Sequence, residues 1–214
     1  MLYWTYLFVL CVSFLCSLIR FRQHTHALKI FSIFLGLTVV TETLANIAIY
    51  YHWETNYIIY NSFMLPEYCL YALFFKSIIR NTRIKGVLSA YLLIFPLIWI
   101  ATTVWLHITT WNSYAVLIGD AATVGMCAAY LFEVLASEEL IDLKTSAEFW
   151  ITAGTLIYCC SEIPITGRLN YLAAHHKQVT LWLEDVLQIL NILMYLTIIY
   201  AYLCRRLTNT TRSW

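Results

Sequence analysis

The stretch ALKIFSIFLGLTVVTETLANIAIYY, residues 27–51, decides the fold of this chain. It is apolar over more than the roughly 20 residues that a helix needs to cross the hydrocarbon core of a membrane. Glu42 stands inside this run, although a charged side chain at mid-bilayer costs about 2.5–3.5 kcal/mol on insertion scales. A carboxylate that is retained in a membrane helix at this cost usually faces a polar interior of the protein and has a function there.

Apolar runs of this kind recur along the whole chain. Of its 214 residues, 61% are hydrophobic and 12% are charged, and the mean hydropathy is +0.71, which is far from the composition of a soluble domain. We therefore expect an all-α polytopic membrane protein, a bundle of seven transmembrane helices that forms one domain over residues 1–214. The predicted helices cover residues 2–19, 27–51, 56–79, 86–108, 113–136, 147–165 and 180–204.

The basic residues predict the orientation, since Lys and Arg are retained on the cytoplasmic side of a membrane. With the N-terminus out and the C-terminus in, all but two of the 13 lysines and arginines fall in cytoplasmic segments. The two on the outside are Arg168 and Lys177. We expect this topology in the cytoplasmic (inner) membrane. The predicted cytoplasmic set is Arg20, Arg22, Lys29, Lys76, Arg80, Arg83, Lys85, Lys144, Arg205, Arg206 and Arg212.

Polar side chains inside the predicted helices fall toward the outer side of the membrane. Glu42 and Asn46 are four residues apart and share one helix face, and Glu67 follows Pro66 near the middle of helix 3. Acids on several helices at similar depth predict a shared water-accessible cavity that is open to the outside. The predicted ligand- or cation-binding residues are Glu42, Asn46, Asn61, Glu67, Asp120, Glu162, Glu184, Asp185, Gln188 and Asn191.

A structural interpretation competes for some of these residues. Asparagines inside a membrane often serve only as interhelical hydrogen-bonding groups, worth about 0.6 kcal/mol each. Glu184 and Asp185 open helix 7, where acids are favoured by the helix N-terminus and could sit among headgroups. Glu42 and Glu67 fit this interpretation least, because they are the deepest acids and no Lys or Arg shares their depth. Acids in that position are expected to be protonated or to bind a cation.

The sequence contains no arrangement that predicts catalysis. Histidines at the outer boundary lack the i, i+4 spacing of metal ligands, no serine stands in a motif that would supply a base and an oxyanion site, and Gly-rich phosphate loops are absent. We therefore predict no catalytic residue, no metal site and no cofactor. The basic inner loops are interpreted as topology signals rather than nucleic-acid patches. The histidines concerned are His52, His107, His175 and His176.

Four segments carry a resemblance to other proteins. They are TETLANIAIYY (41–51), YNSFMLPEYCLYALFF (60–75), FWITAGTLIYCCSEIP (149–164) and LNILMYLTIIYAYLCR (190–205). The chain resembles a group of small bacterial seven-helix integral membrane proteins without annotated activity. The resemblance implies topology only. A rhodopsin-like retinal site is excluded, because predicted helix 7 contains no lysine for a Schiff base.

Two classes of function fit these observations. In the first, a membrane sensor or accessory subunit binds a small polar or cationic ligand in an outward-facing acidic pocket and acts through a membrane or cytoplasmic partner protein. In the second, the same acids serve a proton- or cation-coupled transporter built as three plus one plus three helices. An intramembrane enzyme ranks third. The almost entirely apolar cytoplasmic half favours a closed pocket, and therefore binding.

Overall fold

The computed structural model describes residues 2–19, 21–53, 55–106, 108–137, 143–175 and 177–211, with the backbone alone at 169–174, 177 and 205–211. Among the residues named above, Arg20, His107, His176 and Arg212 lie outside this part of the chain. The all-α prediction is confirmed for the described residues, which contain no strand. The helices are α1 (Leu2–Leu18), α2 (His26–Tyr50), α3 (Tyr57–Ile78), α4 (Thr82–Leu106), α5 (Ser113–Ala136), α6 (Ala147–His175) and α7 (Lys177–Thr211), with a short 3-10 turn at Phe21–Gln23.

Five of these helices are long and apolar enough to cross a membrane. They are α2, α3, α4, α5 and the segment Gln178–Cys204 of α7. Helix α1 is apolar but shorter, at 17 residues. Helices α6 and α7 extend beyond the predicted spans 147–165 and 180–204, because helical hydrogen bonding continues through polar residues after the apolar run has ended.

Six helices close a ring. Helix α1 packs against α2 and α7, α2 packs against α3, α3 against α5, α5 against α6, and α6 against α7. Helix α4 lies outside this ring, against α3 and α5. Its outward face is strongly apolar, and Val87, Leu93, Leu97 and Val104 are between 66% and 75% exposed. Such a surface suits contact with lipid.

Helices that follow one another in the chain run in opposite directions. In the α2–α3 pair, Phe31 contacts Phe74 with ring centroids 5.2 Å apart, whereas Glu42, further along α2, bonds Tyr60, which is earlier on α3. The pair is therefore antiparallel. The α2–α3, α4–α5 and α6–α7 connections consequently lie at one end of the bundle, which we call the α2–α3 end. The α1–α2, α3–α4 and α5–α6 connections lie at the other, the α1–α2 end.

Aromatic rings fill the ring of helices toward the α1–α2 end. Phe31 lies between Phe34 and Phe74, with centroids 5.1 and 5.2 Å away, and Tyr71 lies 4.9 Å from Phe34. All four side chains are buried. Large rings pack closely in protein interiors. We call this cluster, which lies on α2 and α3 between the α1–α2 end and Glu42, the aromatic floor.

Side-chain caps fix two of the helix starts. Thr25 accepts a hydrogen bond from the backbone nitrogen of Leu28 at 3.4 Å and opens α2. Asn112 accepts from Ala115 at 3.1 Å and opens α5. Both satisfy backbone donors that have no partner within the helix. These caps fix the residues at which α2 and α5 begin.

Candidate functional site

A cavity of about 680 Å³ lies at the centre of the six-helix ring. Every helix of the ring contributes to its wall, and no described residue of α4 does so. The wall includes Ile49, Asn56 and Tyr57 at the α2–α3 end and continues down α2 to Phe34 in the aromatic floor. At 1.5 Å per residue, Phe34 and Ile49 are about 22 Å apart along the helix. The cavity is therefore a deep cleft that begins where α2 joins α3.

The lining residues of α2, α3, α6 and α7 repeat every three or four positions, which means that one face of each of these helices is turned inward. On α2 they are Phe34, Thr38, Thr41, Glu42, Ala45, Asn46 and Ile49. On α7 they are Thr180, Glu184, Leu187, Gln188, Asn191, Met194 and Tyr195. Asp185 follows Glu184 by one position and is therefore about 100° around the helix. It is exposed and is not part of the wall.

Glu42 is held by three tyrosines. The hydroxyl of Tyr6 donates to Oε1 at 2.8 Å, and the hydroxyls of Tyr3 and Tyr60 donate to Oε2 at 3.1 Å each. Asn46 donates both to the Tyr3 hydroxyl and, at 2.7 Å, to the backbone oxygen of Glu42. The predicted proximity of Glu42 and Asn46 is thus observed. The structure also supplies what the sequence did not suggest, namely three neutral donors that stabilise this buried carboxylate without a basic residue.

Glu67 is in a different situation. It lies halfway along α3 and lines the cavity, yet none of the described residues donates a hydrogen bond to its carboxylate or forms an ion pair with it. Glu162 of α6 lines the same cavity. None of the described residues in the wall carries a positive charge that could offset these two acids.

Asp120 lies behind the wall next to Glu162. It is 1% exposed, and its Oδ1 accepts a hydrogen bond from Tyr68 at 2.9 Å, while Oδ2 has no hydrogen bond within the described residues. Tyr68 itself lines the cavity, so that it separates Asp120 from the open space. The Tyr158 hydroxyl lies against Glu162, and Asn191 donates to that hydroxyl at 3.4 Å.

Asn61 is buried, does not line the cavity and bonds with backbone groups of the α4–α5 connection. Its amide nitrogen donates to the backbone oxygens of Ile108 and Thr110 at 2.8 and 2.7 Å, and its oxygen accepts from the backbone nitrogen of Asn112 at 3.2 Å. The indole of Trp99 donates to the backbone oxygen of Asn61 at 2.8 Å. Asn61 therefore fixes the α4–α5 connection to α3. Of the ten predicted site residues, seven line the cavity, and Asn61, Asp120 and Asp185 do not.

The tyrosines are the part of the site that sequence reasoning missed. Their signal was present, because residues 57, 60, 64, 67, 68 and 71 of α3 follow the spacing of one helix face, on which Glu67 is the only acid. The predicted acidic pocket is therefore lined mainly by aromatic rings, with acids at a few positions. Eight tyrosines line the cavity, namely Tyr3, Tyr6, Tyr57, Tyr60, Tyr68, Tyr71, Tyr158 and Tyr195.

The chemistry of this wall is acidic and aromatic. No Lys, Arg or His is among the described residues that line it. Within the same part of the chain, no group of three His, Cys, Asp or Glu side chains is placed to hold a metal ion. A cavity of this volume is in the range of about 300–1,000 Å³ that small-molecule sites occupy. The arrangement can therefore bind a small ligand, and it selects against anions.

Comparison with known proteins adds no further information on function: no protein-family model, no curated protein and no solved structure matches this chain. The cavity and the residues that form it are therefore the features that bear on function.

Proposed function

We propose that this chain is an integral protein of the cytoplasmic (inner) membrane that binds a small polar or cationic ligand in the central cavity and acts through a partner protein as a sensor or accessory subunit. The observation that carries the proposal is the cleft of about 680 Å³ inside six helices, with Glu67 and Glu162 facing it without a basic neighbour among the described residues. Buried acids are retained in membrane helices where they have a function.

The proposed topology has seven spans, the N-terminus outside and the C-terminus inside. It is supported by the distribution of basic residues, which concentrate at the α1–α2 end of the bundle. In this orientation the cavity faces outward. A C-terminal green fluorescent protein fusion is expected to fluoresce and a C-terminal alkaline phosphatase fusion to be inactive; the reverse result would refute the orientation.

The aromatic floor supports binding rather than passage. Phe31, Phe34, Tyr71 and Phe74 are packed together below the acids, so that the cleft ends before the α1–α2 end. A ligand that enters from the outer side therefore meets a closed base. The connections between the helices are short, and a response on the cytoplasmic side requires a membrane or cytoplasmic partner protein.

The proposal is tested by thermal unfolding of the purified chain in detergent micelles with a panel of small polar and cationic solutes. Ala45 lines the cavity at 1% exposure, and its neighbour Leu44 is 48% exposed on the lipid side. A ligand of the cavity should raise the Tm of the wild type and of Leu44→Phe, but not of Ala45→Phe, in which a ring fills the space. Leu187→Trp offers a second blocked variant if Ala45→Phe unfolds. The proposal fails if no solute gives a Tm increase that either blocked variant removes.

A proton- or cation-coupled transporter is the second candidate, and the helix arrangement favours it. The contacts of the ring repeat when α1, α2 and α3 are replaced by α5, α6 and α7: α1–α2 corresponds to α5–α6, α2–α3 to α6–α7, and α3–α5 to α7–α1. Three plus three helices with a linking helix outside is the plan of some tandem-repeat transporters. This candidate predicts cation- or pH-dependent solute flux in proteoliposomes. Absence of flux for a solute that binds in the cavity would leave binding as the function.

A further inference from the structure

We infer that the ligand is an organic ammonium ion, a primary or quaternary amine whose nitrogen lies between Glu67 and Glu162 and against the surrounding tyrosine rings. This inference rests on the proposed function, because it assumes that the cavity binds a ligand. It goes beyond it by naming the chemical class and by separating the roles of Glu42 and Glu67, two of the acids that line the cavity.

The cavity acids differ in whether the protein supplies a partner for them. Glu42 already accepts three hydroxyl donors, so that its charge is satisfied by the protein itself. Glu67 has no such donor within the described residues, although it is enclosed by protein and keeps accessible surface where it lines the cavity. A buried polar group without a hydrogen-bond partner is unfavourable, and a buried charge without one is more so. A bound cation would supply the partner that the chain does not.

The cavity suits a large organic cation rather than a small metal ion. Metal ions such as Mg²⁺ and Ca²⁺ need a compact shell of oxygens at about 2.0–2.6 Å. None of the described His, Cys, Asp or Glu side chains form such a group of three. The space available is about 680 Å³, which is the size of an organic molecule's site. The carboxylates therefore fit a diffuse organic cation better than a bare metal ion.

Aromatic rings line the cavity together with Glu67. They include Tyr68 and Tyr71 of α3, Tyr158 of α6 and Tyr195 of α7. An ammonium group is attracted to the face of an aromatic ring, and aromatic cages are a recurrent way to bind quaternary ammonium groups. Rings and acids at the same level therefore attract the same ligand feature.

A neutral polyol is the main competitor. It would hydrogen-bond with Gln188 and Asn191 and stack on the rings, but it would leave the carboxylate of Glu67 without a positively charged partner. The two alternatives therefore predict different relative affinities for a cationic ligand and a neutral ligand of the same shape.

The test measures binding to the full chain in lipid nanodiscs by isothermal titration calorimetry. The probes are choline, its uncharged carbon isostere 3,3-dimethylbutan-1-ol, propylamine and magnesium chloride. Choline or propylamine is expected to bind at least tenfold more tightly than the isostere. Glu67→Gln should weaken ammonium binding at least tenfold and leave the isostere unchanged, whereas Asp185→Asn, outside the wall, should change neither. Glu162→Gln is the second variant if Glu67→Gln does not fold.

Each further outcome decides against the inference. Equal affinity for choline and its isostere, or magnesium binding that depends on Glu67, would overturn it. Failure of both amines to bind would also overturn it. If neutral solutes then still raise the Tm in a manner that Ala45→Phe removes, the proposed binding function stands without it. If no solute does so, both proposals fail.

Discussion

The three-tyrosine arrangement around Glu42 gives a prediction with a defined magnitude. The Tyr6 bond is the shortest, at 2.8 Å, and Tyr6 is 6% exposed, whereas Tyr3 and Tyr60 are half-buried and donate at 3.1 Å. Hydrogen bonds to charged groups contribute about 1.5–3 kcal/mol. Those between membrane helices average about 0.6 kcal/mol and reach about 1.7 kcal/mol. The two ranges overlap at about 1.5 kcal/mol, which is the decrease in the free energy of unfolding that we expect for Tyr6→Phe. For the weaker bonds removed by Tyr3→Phe or Tyr60→Phe we expect the average decrease of about 0.6 kcal/mol.

The free energy of unfolding is measured by titrating the protein in mixed micelles with SDS. A double-mutant cycle of Tyr6→Phe and Glu42→Gln should give a coupling energy of about 1 kcal/mol, because the two groups contact each other directly. Tyr50, 78% exposed, provides the control, and Tyr50→Phe should change the free energy by less than about 0.5 kcal/mol. A coupling below about 0.3 kcal/mol would show that the Tyr6 hydroxyl does not stabilise this carboxylate, and the account of Glu42 as a satisfied acid would be wrong.

Three more predictions use the same unfolding assay. Gly154→Ala should destabilise the α6–α7 packing by about 1–3 kcal/mol, because a Cβ there would lie 2.1 Å from Oγ1 of Thr197, whereas Gly125→Ala, with nothing within 4 Å, should not. Asn61→Leu should cost about 2 kcal/mol or more, since two backbone oxygens and one backbone nitrogen lose their partner, but it should leave ligand affinity unchanged because Asn61 is outside the wall. Glu133→Gln should cost about 1 kcal/mol, because the carboxylate accepts from the backbone nitrogens of residues 80 and 81 at 2.8 and 2.6 Å; no loss would mean that this contact is dispensable.

Apolar length was sufficient to predict the helical class. Runs of roughly 20 apolar residues have few alternatives to a helix in a membrane, because every backbone group must be bonded within the segment. The same criterion located the ends of α6 and α7 poorly, since it detects where the apolar run stops and not where the helix stops. Glu42 and Asn46 were placed on one face correctly because a four-residue spacing fixes that relation within a helix.

The position of α4 could not be read from hydropathy, because lipid and a protein interior are equally apolar surroundings. Its sequence lacks Asp, Glu, Asn and Gln between residues 82 and 106, but α1 lacks them as well, and α1 lies in the ring. The difference lies in Tyr3 and Tyr6, whose hydroxyls reach Glu42. Tyrosine is ambiguous in a membrane sequence, since it serves both as an interfacial anchor and as a buried hydrogen-bond donor.

The choice between binding and transport depends on the aromatic floor and on the seams between the two groups of three helices. The groups α1–α3 and α5–α7 meet only along α3–α5 and α1–α7 among the main packing contacts, so that these seams are where one group could move against the other. Opening the path to the α1–α2 end would require Phe31 and Phe74, 1% and 0% exposed, to separate from Phe34 and Tyr71. Four large rings would lose their packing at once, and single buried Phe side chains contribute about 3–5 kcal/mol. A ligand would need a comparable preference for the open state to drive that change. Both candidate functions therefore involve the closed cleft, but only transport requires a conformational change that opens it toward the α1–α2 end.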